Sequence, residues 1–330
     1  MIQRIVINFP TNLGDVILAL PVLDRLKVYY PEAKISAIVS VKTREFLLRN
    51  SFINEVILFD KSWTLAQKRR FASSLRGKFD LVVDLKNSFL PAVLGAKFRT
   101  PFIRFFSKNM HITDKYQSLI RKFTSSNTKA GSRKYAGREF NTQGSNKKSD
   151  FILSDEEMKK WEDLKLSSSV FICCSSRSRV KFYPHEYLKK VVDALKVRFN
   201  LVILGVSQDR AYYKDILSSD SILDLVGKTR MSDIFYLLKN YGRLLIGVDS
   251  SVVHLASYLN IPVVSIFGPT HPGRSYPRSD NSIVLTNKAA RCAPCEKPKC
   301  MFDHECMKIS PEIVIAAVTQ AIKKSELGKQ

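Results

Sequence analysis

Short runs rich in Val and Ile alternate along this chain with longer stretches whose apolar positions recur every three or four residues. RIVINF, at residues 4–9, reads as a strand, and Asp15 to Val28 as an amphipathic helix in which Pro21 should introduce a kink. KISAIVS reads as a strand, TREFLLRN as a helix and EVILF as a strand. SWTLAQKRRFASSLRG follows as a helix with basic residues on its exposed side, LVVDL as a strand and FLPAVLGA as a helix. This alternation predicts βαβ units on a parallel sheet with helices on both faces.

The pattern lapses from Lys108 to Asp150, where ten basic and three acidic residues sit among Ser, Asn and Gly. That composition predicts a loop or linker, a domain boundary or a mobile basic segment. SDEEMKKW then opens a helix with Ser154 as its N-cap and acids in the first turn. Alternation resumes with strands VFICC, LVILG, RLLIGV and PVVSIF, interleaved with helices EYLKKVVDALKVRF, DRAYYKDIL, MSDIFYLLKN and SVVHLASYL. PEIVIAAVTQAIKK makes a last helix. The expectation is an α/β protein of two Rossmann-like domains, residues 1–150, including a basic linker at about 108–150, and residues 151–330.

At 330 residues the chain is long for one core, which agrees with two domains. No apolar run reaches the ~18–20 residues of a membrane-spanning helix. MIQRIVINFPTNLGD lacks the h-region and cleavage site of a signal peptide, so a soluble, cytosolic protein is expected. Charge narrows the partners. With 53 Lys+Arg against 30 Asp+Glu the formal balance is +23, which suits nucleic acid, an anionic membrane or a phosphate-bearing substrate, and is also met as plain compositional bias.

Cys173 and Cys174 lie in an apolar run and read as a buried strand. The other cysteines form the series Cys292-x2-Cys295-x4-Cys300-x5-Cys306. Clustered cysteines in a cytosolic chain suit metal or redox chemistry better than disulfides, although this spacing departs from the strongest zinc templates. A structural cluster, metal-bound or thiol, is expected rather than a catalytic one.

Ligands of an open parallel sheet bind beyond the C-terminal strand ends, so the loops there hold the candidate chemistry. The first, Pro10-Thr11-Asn12-Leu13-Gly14-Asp15, has neither the dinucleotide glycines nor a P-loop lysine. Asp15 reads either as a helix N-cap or as a carboxylate at a cleft. After VFICC come Ser175, Ser176, Arg177, Arg179 and Lys181, suited to a phosphate or to a solvated basic loop. After RLLIGV, Asp249-Ser250-Ser251-Val252 opens a helix whose N–H groups can receive a phosphate, with His254 in its first turn as a structural or functional histidine. Gly268-Pro269-Thr270-His271-Pro272 follows PVVSIF as a turn.

The order PTNLGDVILALPVLDRLKVYYPEAKI, FDLVVDLKNS, HITDKY, KFYP, IGVDSSVVHLASYLNIPVVSIFGPTHP and the cysteine series before ISPE resembles the family 9 glycosyltransferases, the heptosyltransferases of lipopolysaccharide inner-core assembly. The resemblance runs through about residues 1–100 and 170–320. It implies a GT-B fold, two Rossmann-like domains with a cleft between them, and inverting transfer from a nucleotide sugar, typically ADP-heptose. It implies no cofactor and no catalytic metal. Asp15 matches the proposed general base, with Asn12, Gly14 and His111 on the acceptor side. Ser175, Ser176 and Lys181 match the donor phosphate loop, and Asp249 matches the acid that holds the donor sugar. Ser250, Ser251 and Val252 would present N–H groups to the diphosphate, with His254 beside them. Met231 would lie against the adenine, and Gln208 or Asp209 near the ribose.

This chain departs from the family pattern in places. Ser251 stands where glycine is common, His271 replaces an acid, and the 175–181 loop is one residue longer than expected. The implied acceptor is an anionic glycolipid, which places the enzyme in the cytoplasm at the inner face of the cytoplasmic membrane, with no nucleic-acid partner expected. One alternative keeps the fold and changes the sugar or acceptor. An alternative of another class is a basic nucleic-acid binder, with Phe123, Tyr135 and Phe140 of the basic segment stacking on bases.

Overall fold

The computed structural model describes residues 2–101, 104, 106, 107, 109–124, 148–164 and 166–327. The chain divides into two compact units, Met1–Ile152 and Leu153–Gln330.

The N-terminal unit runs β1 (Arg4–Asn8), α1 (Leu13–Tyr29), β2 (Lys34–Val39), α2 (Val41–Leu48), β3 (Glu55–Leu58), α3 (Leu65–Leu75), β4 (Leu81–Asp84), α4 (Leu90–Val93), β5 (Phe98–Arg99) and α5 (Ile112–Ile120). Its five strands are parallel in the order β3-β2-β1-β4-β5. β1 is central, with Ile5 in register with Ile35 on one side and Leu81 on the other. Ile5, Val6 and Ile7 are all fully buried, which is why this strand reads as an unbroken apolar run. α1 continues through Pro21, and the fully buried Ala19, Leu20, Val22 and Leu23 hold it across the missing amide.

The segment expected to be a linker from Lys108 is partly folded structure. α5 is capped by His111, whose Nδ1 accepts from Thr113 N–H, and Thr113 Oγ1 donates to Leu18 O of α1. Thr113, Gln117, Leu119 and Ile120 face inward at helical spacing, a pattern diluted in the sequence by surrounding polar residues. The chain also returns to this unit at its end, where Ser149 N–H donates to Asp24 and Phe151 stacks on Phe46 at 4.1 Å. Lys129, Arg133, Lys134, Tyr135, Arg138 and Phe140 of the basic segment lie outside the described residues.

The C-terminal unit runs α6 (Asp155–Glu162), β6 (Ser169–Cys173), α7 (His185–Leu195), β7 (Asn200–Ile203), α8 (Arg210–Leu217), β8 (Ile222–Asp224), α9 (Met231–Tyr241), β9 (Gly242–Val248), α10 (Ser251–Tyr258), β10 (Val263–Phe267), β11 (Ile283–Thr286) and α11 (Pro311–Leu327). Six parallel strands take the order β11-β10-β9-β6-β7-β8. Ser154 caps α6 in a reciprocal pair with Glu157. The order in which strands are added reverses once in each sheet, between β1 and β4 in the first and between β6 and β9 in the second. Open α/β sheets hold ligands at these switch points. Gly247 lets β9 lie close to β6, since a Cβ there would sit 2.9 Å from Cys173 O. Among the described residues, no helix is long and apolar enough to cross a membrane.

Candidate functional site

The switch point of the N-terminal sheet carries Asn8 and Asp84, the last residues of β1 and β4. Asn8 Nδ2 donates to Asp84 Oδ1 at 2.7 Å. Asp84 also accepts the Ser88 N–H at 2.6 Å and pairs with Arg104 at 2.9 Å. Both charged side chains are essentially buried, at 0% and 3% exposure, so each depends on the other for its solvation. Burial lowers the Arg104 pKa, against the pull of Asp84.

Asp15 follows the same strand as Asn8, at the start of α1. It is not the N-cap that a local reading allows. Asn12 occupies that position with no side-chain cap bond, and Asp15 lies in the first turn of α1, Oδ2 3.4 Å from Asn12 Nδ2. Asp15 is partly exposed, as is Gly14. Tyr116 of α5 lies within electrostatic reach of both Asp15 and Arg104; its phenol is pushed up by burial first and by Asp15 second. Asn12, Gly14 and Asp15 share one loop, while His111 is buried and engaged as the α5 cap.

In the C-terminal unit, two clusters flank the second switch point. Ser175, just past β6, is buried and donates to Asp209 Oδ2 at 2.7 Å, with the Tyr213 hydroxyl 3.2 Å from its Oγ. Asp209 also accepts the Val206 N–H, so its carboxylate fixes the loop after β7, whereas Gln208 is exposed. Ser176 turns inward on its own loop, exchanging hydrogen bonds with Ser178.

The second cluster joins the two halves of the sheet. Lys181 ends a short 3-10 turn after β6, and its Nζ meets Asp249 Oδ2 at 2.6 Å. Asp249 Oδ1 lies 3.5 Å from His254 Nε2 and accepts from Ser275 Oγ at 3.3 Å. Burial alone would raise the Asp249 carboxyl, but His254 and Lys181 outweigh it and hold it below the usual carboxylate range. Ser250 is the N-cap of α10, followed by Ser251 and the buried Val252 and His254. A cation thus faces the start of a helix, which suits a diphosphate. Met231 opens α9 half-buried. His271 caps the turn after β10 by accepting from Gly273 N–H.

Asp84 had a signal in the sequence, an acid closing an apolar strand. Arg104, Tyr116 and Ser275 had none, because their partners are far away in sequence.

Cys292, Cys295, Cys300 and Cys306 line one cavity of about 320 Å³ together with Val180 and Pro269. Cys300 Sγ accepts from the N–H groups of Phe302 and His304 at 3.4 and 3.2 Å. Cys306 is pushed up to about 11 by burial first, with the other three thiols adding to it. Among the described residues, no group of three or more His, Cys, Asp or Glu is arranged to hold a metal ion. The cluster lies against the turn after β10, where Glu296 N–H donates to Pro269 O at 2.7 Å.

A profile of glycosyltransferase family 9 (heptosyltransferase) matches residues 68–305. The chain is 21% identical to lipooligosaccharide heptosyltransferase 2 of Haemophilus influenzae, over 98% of this chain and all of that one. It is 27% identical to lipopolysaccharide heptosyltransferase 3 of Escherichia coli K12, over 78% of this chain and 80% of that one. Among solved structures, E. coli ADP-heptose lipopolysaccharide heptosyltransferase II superimposes with TM-score 0.72 at 20% identity, covering 98% of this chain and 100% of the other. E. coli heptosyltransferase WaaC with ADP gives 0.68 at 16%, covering 97% and 100%. These likenesses give the GT-B fold.

Proposed function

From the premise that this chain belongs to glycosyltransferase family 9, the heptosyltransferases, we propose that it moves a heptose from ADP-heptose to the lipopolysaccharide inner core, with inversion and without a catalytic metal. The N-terminal unit would receive the acceptor and the C-terminal unit the nucleotide sugar. The observation that carries this reading is the Lys181–Asp249 pair at the switch point of the second sheet, beside the N-terminus of α10.

In the proposed step the acceptor hydroxyl oxygen attacks the anomeric carbon from the face opposite the diphosphate. The new C–O bond forms as the bond to the β-phosphate oxygen breaks, the hydroxyl proton passes to Asp15, and ADP departs with the electron pair. General-base assistance of this kind contributes ~10²–10⁴ in rate. Charge grows on the leaving diphosphate, where Lys181 and the N–H groups of Ser250, Ser251 and Val252 can meet it. Asp249 orients Lys181 and offers its other oxygen to the sugar. Ser175, Ser176 and Asp209 shape the neighbouring loops. Met231 would pack on the adenine. The glycolipid acceptor places the reaction at the inner face of the cytoplasmic membrane.

Mass spectrometry of the acceptor product, over a panel of nucleotide sugars, tests the donor and the bond formed. The same assay in EDTA tests metal independence. A product with another sugar would overturn the donor assignment, and loss in EDTA with recovery in Mg²⁺ would overturn the metal-free route.

A further inference from the structure

The parallel strands of the N-terminal sheet send the loops after β1, β2, β3 and β4 to one edge. Val41 and Leu65 are the first residues of α2 and α3, and Phe89 is the N-cap of α4. All three are large, apolar and exposed, at 64%, 65% and 73%. Strand order puts Leu65 and Val41 on one side of β1 and Phe89 on the other, with Asp15 following β1 itself. Three strand spacings cover about 14 Å, so these residues line one rim around the catalytic carboxylate.

The rim is physically continuous. Ser40 Oγ donates to Thr11 O at 3.2 Å, joining the loops after β2 and β1. Lys86, after β4, lies 5.6 Å over the ring of Phe59 at the end of β3. Trp63 packs against Phe59 and Phe71 and stiffens the loop that carries Leu65. The segments 40–44, 59–65 and 85–90 carry Lys42, Arg44, Lys61 and Lys86 against Asp60 alone. Glu45, further along α2, is paired with Arg49 at 2.9 Å.

We propose that this rim is a docking surface for an anionic lipid bilayer, with Val41, Leu65 and Phe89 entering the head-group layer and Lys42 and Lys61 meeting its phosphates. Apolar side chains interleaved with lysines, beside a half-exposed tryptophan, are the chemistry of an interfacial surface. A second copy of this chain would bring like charge against like. Nucleic acid would gain nothing from the exposed Val41 and Leu65, and only Phe89 and Trp63 offer it a stacking face. The choice of occupant rests on the proposed glycolipid acceptor. Docking along the rim would bring such an acceptor to Asp15 without extracting it from the membrane.

The test uses the full chain and vesicles of phosphatidylglycerol and phosphatidylethanolamine that contain no glycolipid acceptor, so it reads docking separately from transfer. Co-sedimentation of Val41→Ser/Leu65→Ser/Phe89→Ser should be about tenfold weaker or more than that of the unaltered protein. Lys42→Gln/Lys61→Gln should weaken binding about tenfold at low salt, with the difference fading at high salt. Transfer to a short soluble acceptor should stay unchanged in the triple variant. The unaltered chain gives an independent readout, because Trp161 is 2% exposed and Trp63 is the half-exposed member of the pair. Vesicles should shift the Trp63 emission to shorter wavelength, and RNA should not. Equal sedimentation of the triple variant, or an emission shift with RNA and none with vesicles, would overturn the proposal. Loss of soluble transfer in the unaltered protein with vesicle docking intact would count against the proposed reaction and leave the docking surface standing.

Discussion

Replacing Lys181 with alanine removes the cation that Asp249 holds at 2.6 Å, and the structure sets the size of two effects. The first is on donor binding. A charge-assisted hydrogen bond to phosphate contributes about 1.5–3 kcal/mol, and each 1.4 kcal/mol is tenfold, so ADP should bind about 10- to 150-fold more weakly. The second is on stability. Breaking a fully buried pair costs about 3–5 kcal/mol. Lys181 is 23% exposed and His254 still stands 3.5 Å from the carboxylate, so about 1–3 kcal/mol is expected here. An orphaned Asp249 would also repel the diphosphate. Lys181→Ala/Asp249→Asn should therefore bind ADP better than the sum of the two single losses, with a coupling of about 1–3 kcal/mol. Titration calorimetry with ADP on the four proteins measures this directly. Additive losses, or Lys181→Ala binding within twofold of the unaltered protein, would refute the reasoning.

Asp15→Asn should keep the fold and the donor affinity while turnover falls by two decades or more; near-native turnover in a single-turnover assay would leave Asp15 as a helix residue without a role as base. Arg104→Met leaves Asp84 buried without its cation and should cost about 3–5 kcal/mol in urea unfolding, and a loss below 1 kcal/mol would show that Asn8 and the Ser88 N–H suffice. Because the folded Asp249 carboxyl lies below its unfolded value, its contribution is present above pH ~4 and is lost as pH falls through the folded value. Unfolding measured across this acid range should be less steep in pH for Asp249→Asn, and superimposable slopes would contradict the shift.

The central strands were legible because burial on both faces makes them continuous apolar runs; β1 and β9 are the clearest cases. Edge strands β5 and β11 were not, since none of their residues is fully buried and their patterns are correspondingly weak. FLPAVLGA gives only the four-residue α4, which ends before Gly95 at φ +66°. The Asp249–Val252 helix start was readable from its small residues and preceding strand. Its salt bridge to Lys181 was not, because residues 68 apart meet only through the sheet. The same holds for Asn8 and Asp84, 76 apart. Of the two readings open for Asp15, the cap falls to Asn12, because helix ends read from sequence drift by a residue or two and Asn12 is an equally good cap by type.

That separation of 68 residues also makes the proposed donor site depend on a long-range closure of the chain. Lys181 and Asp249 come together only after β6 pairs with β9, a contact that first requires β7 and β8 to be looped out and back. Closing so long a loop costs chain entropy before its contacts repay it, and topologies rich in such pairings fold more slowly. A chain stalled before that pairing would carry both residues and bind no nucleotide. Ligand that recognises only the closed sheet adds RT ln(1 + [L]/Kd) to the stability of the completed domain. The substrate would then act as a staple between the two halves of its own binding domain, and protein made in its presence would mature with fewer unpaired sheet edges exposed to aggregation.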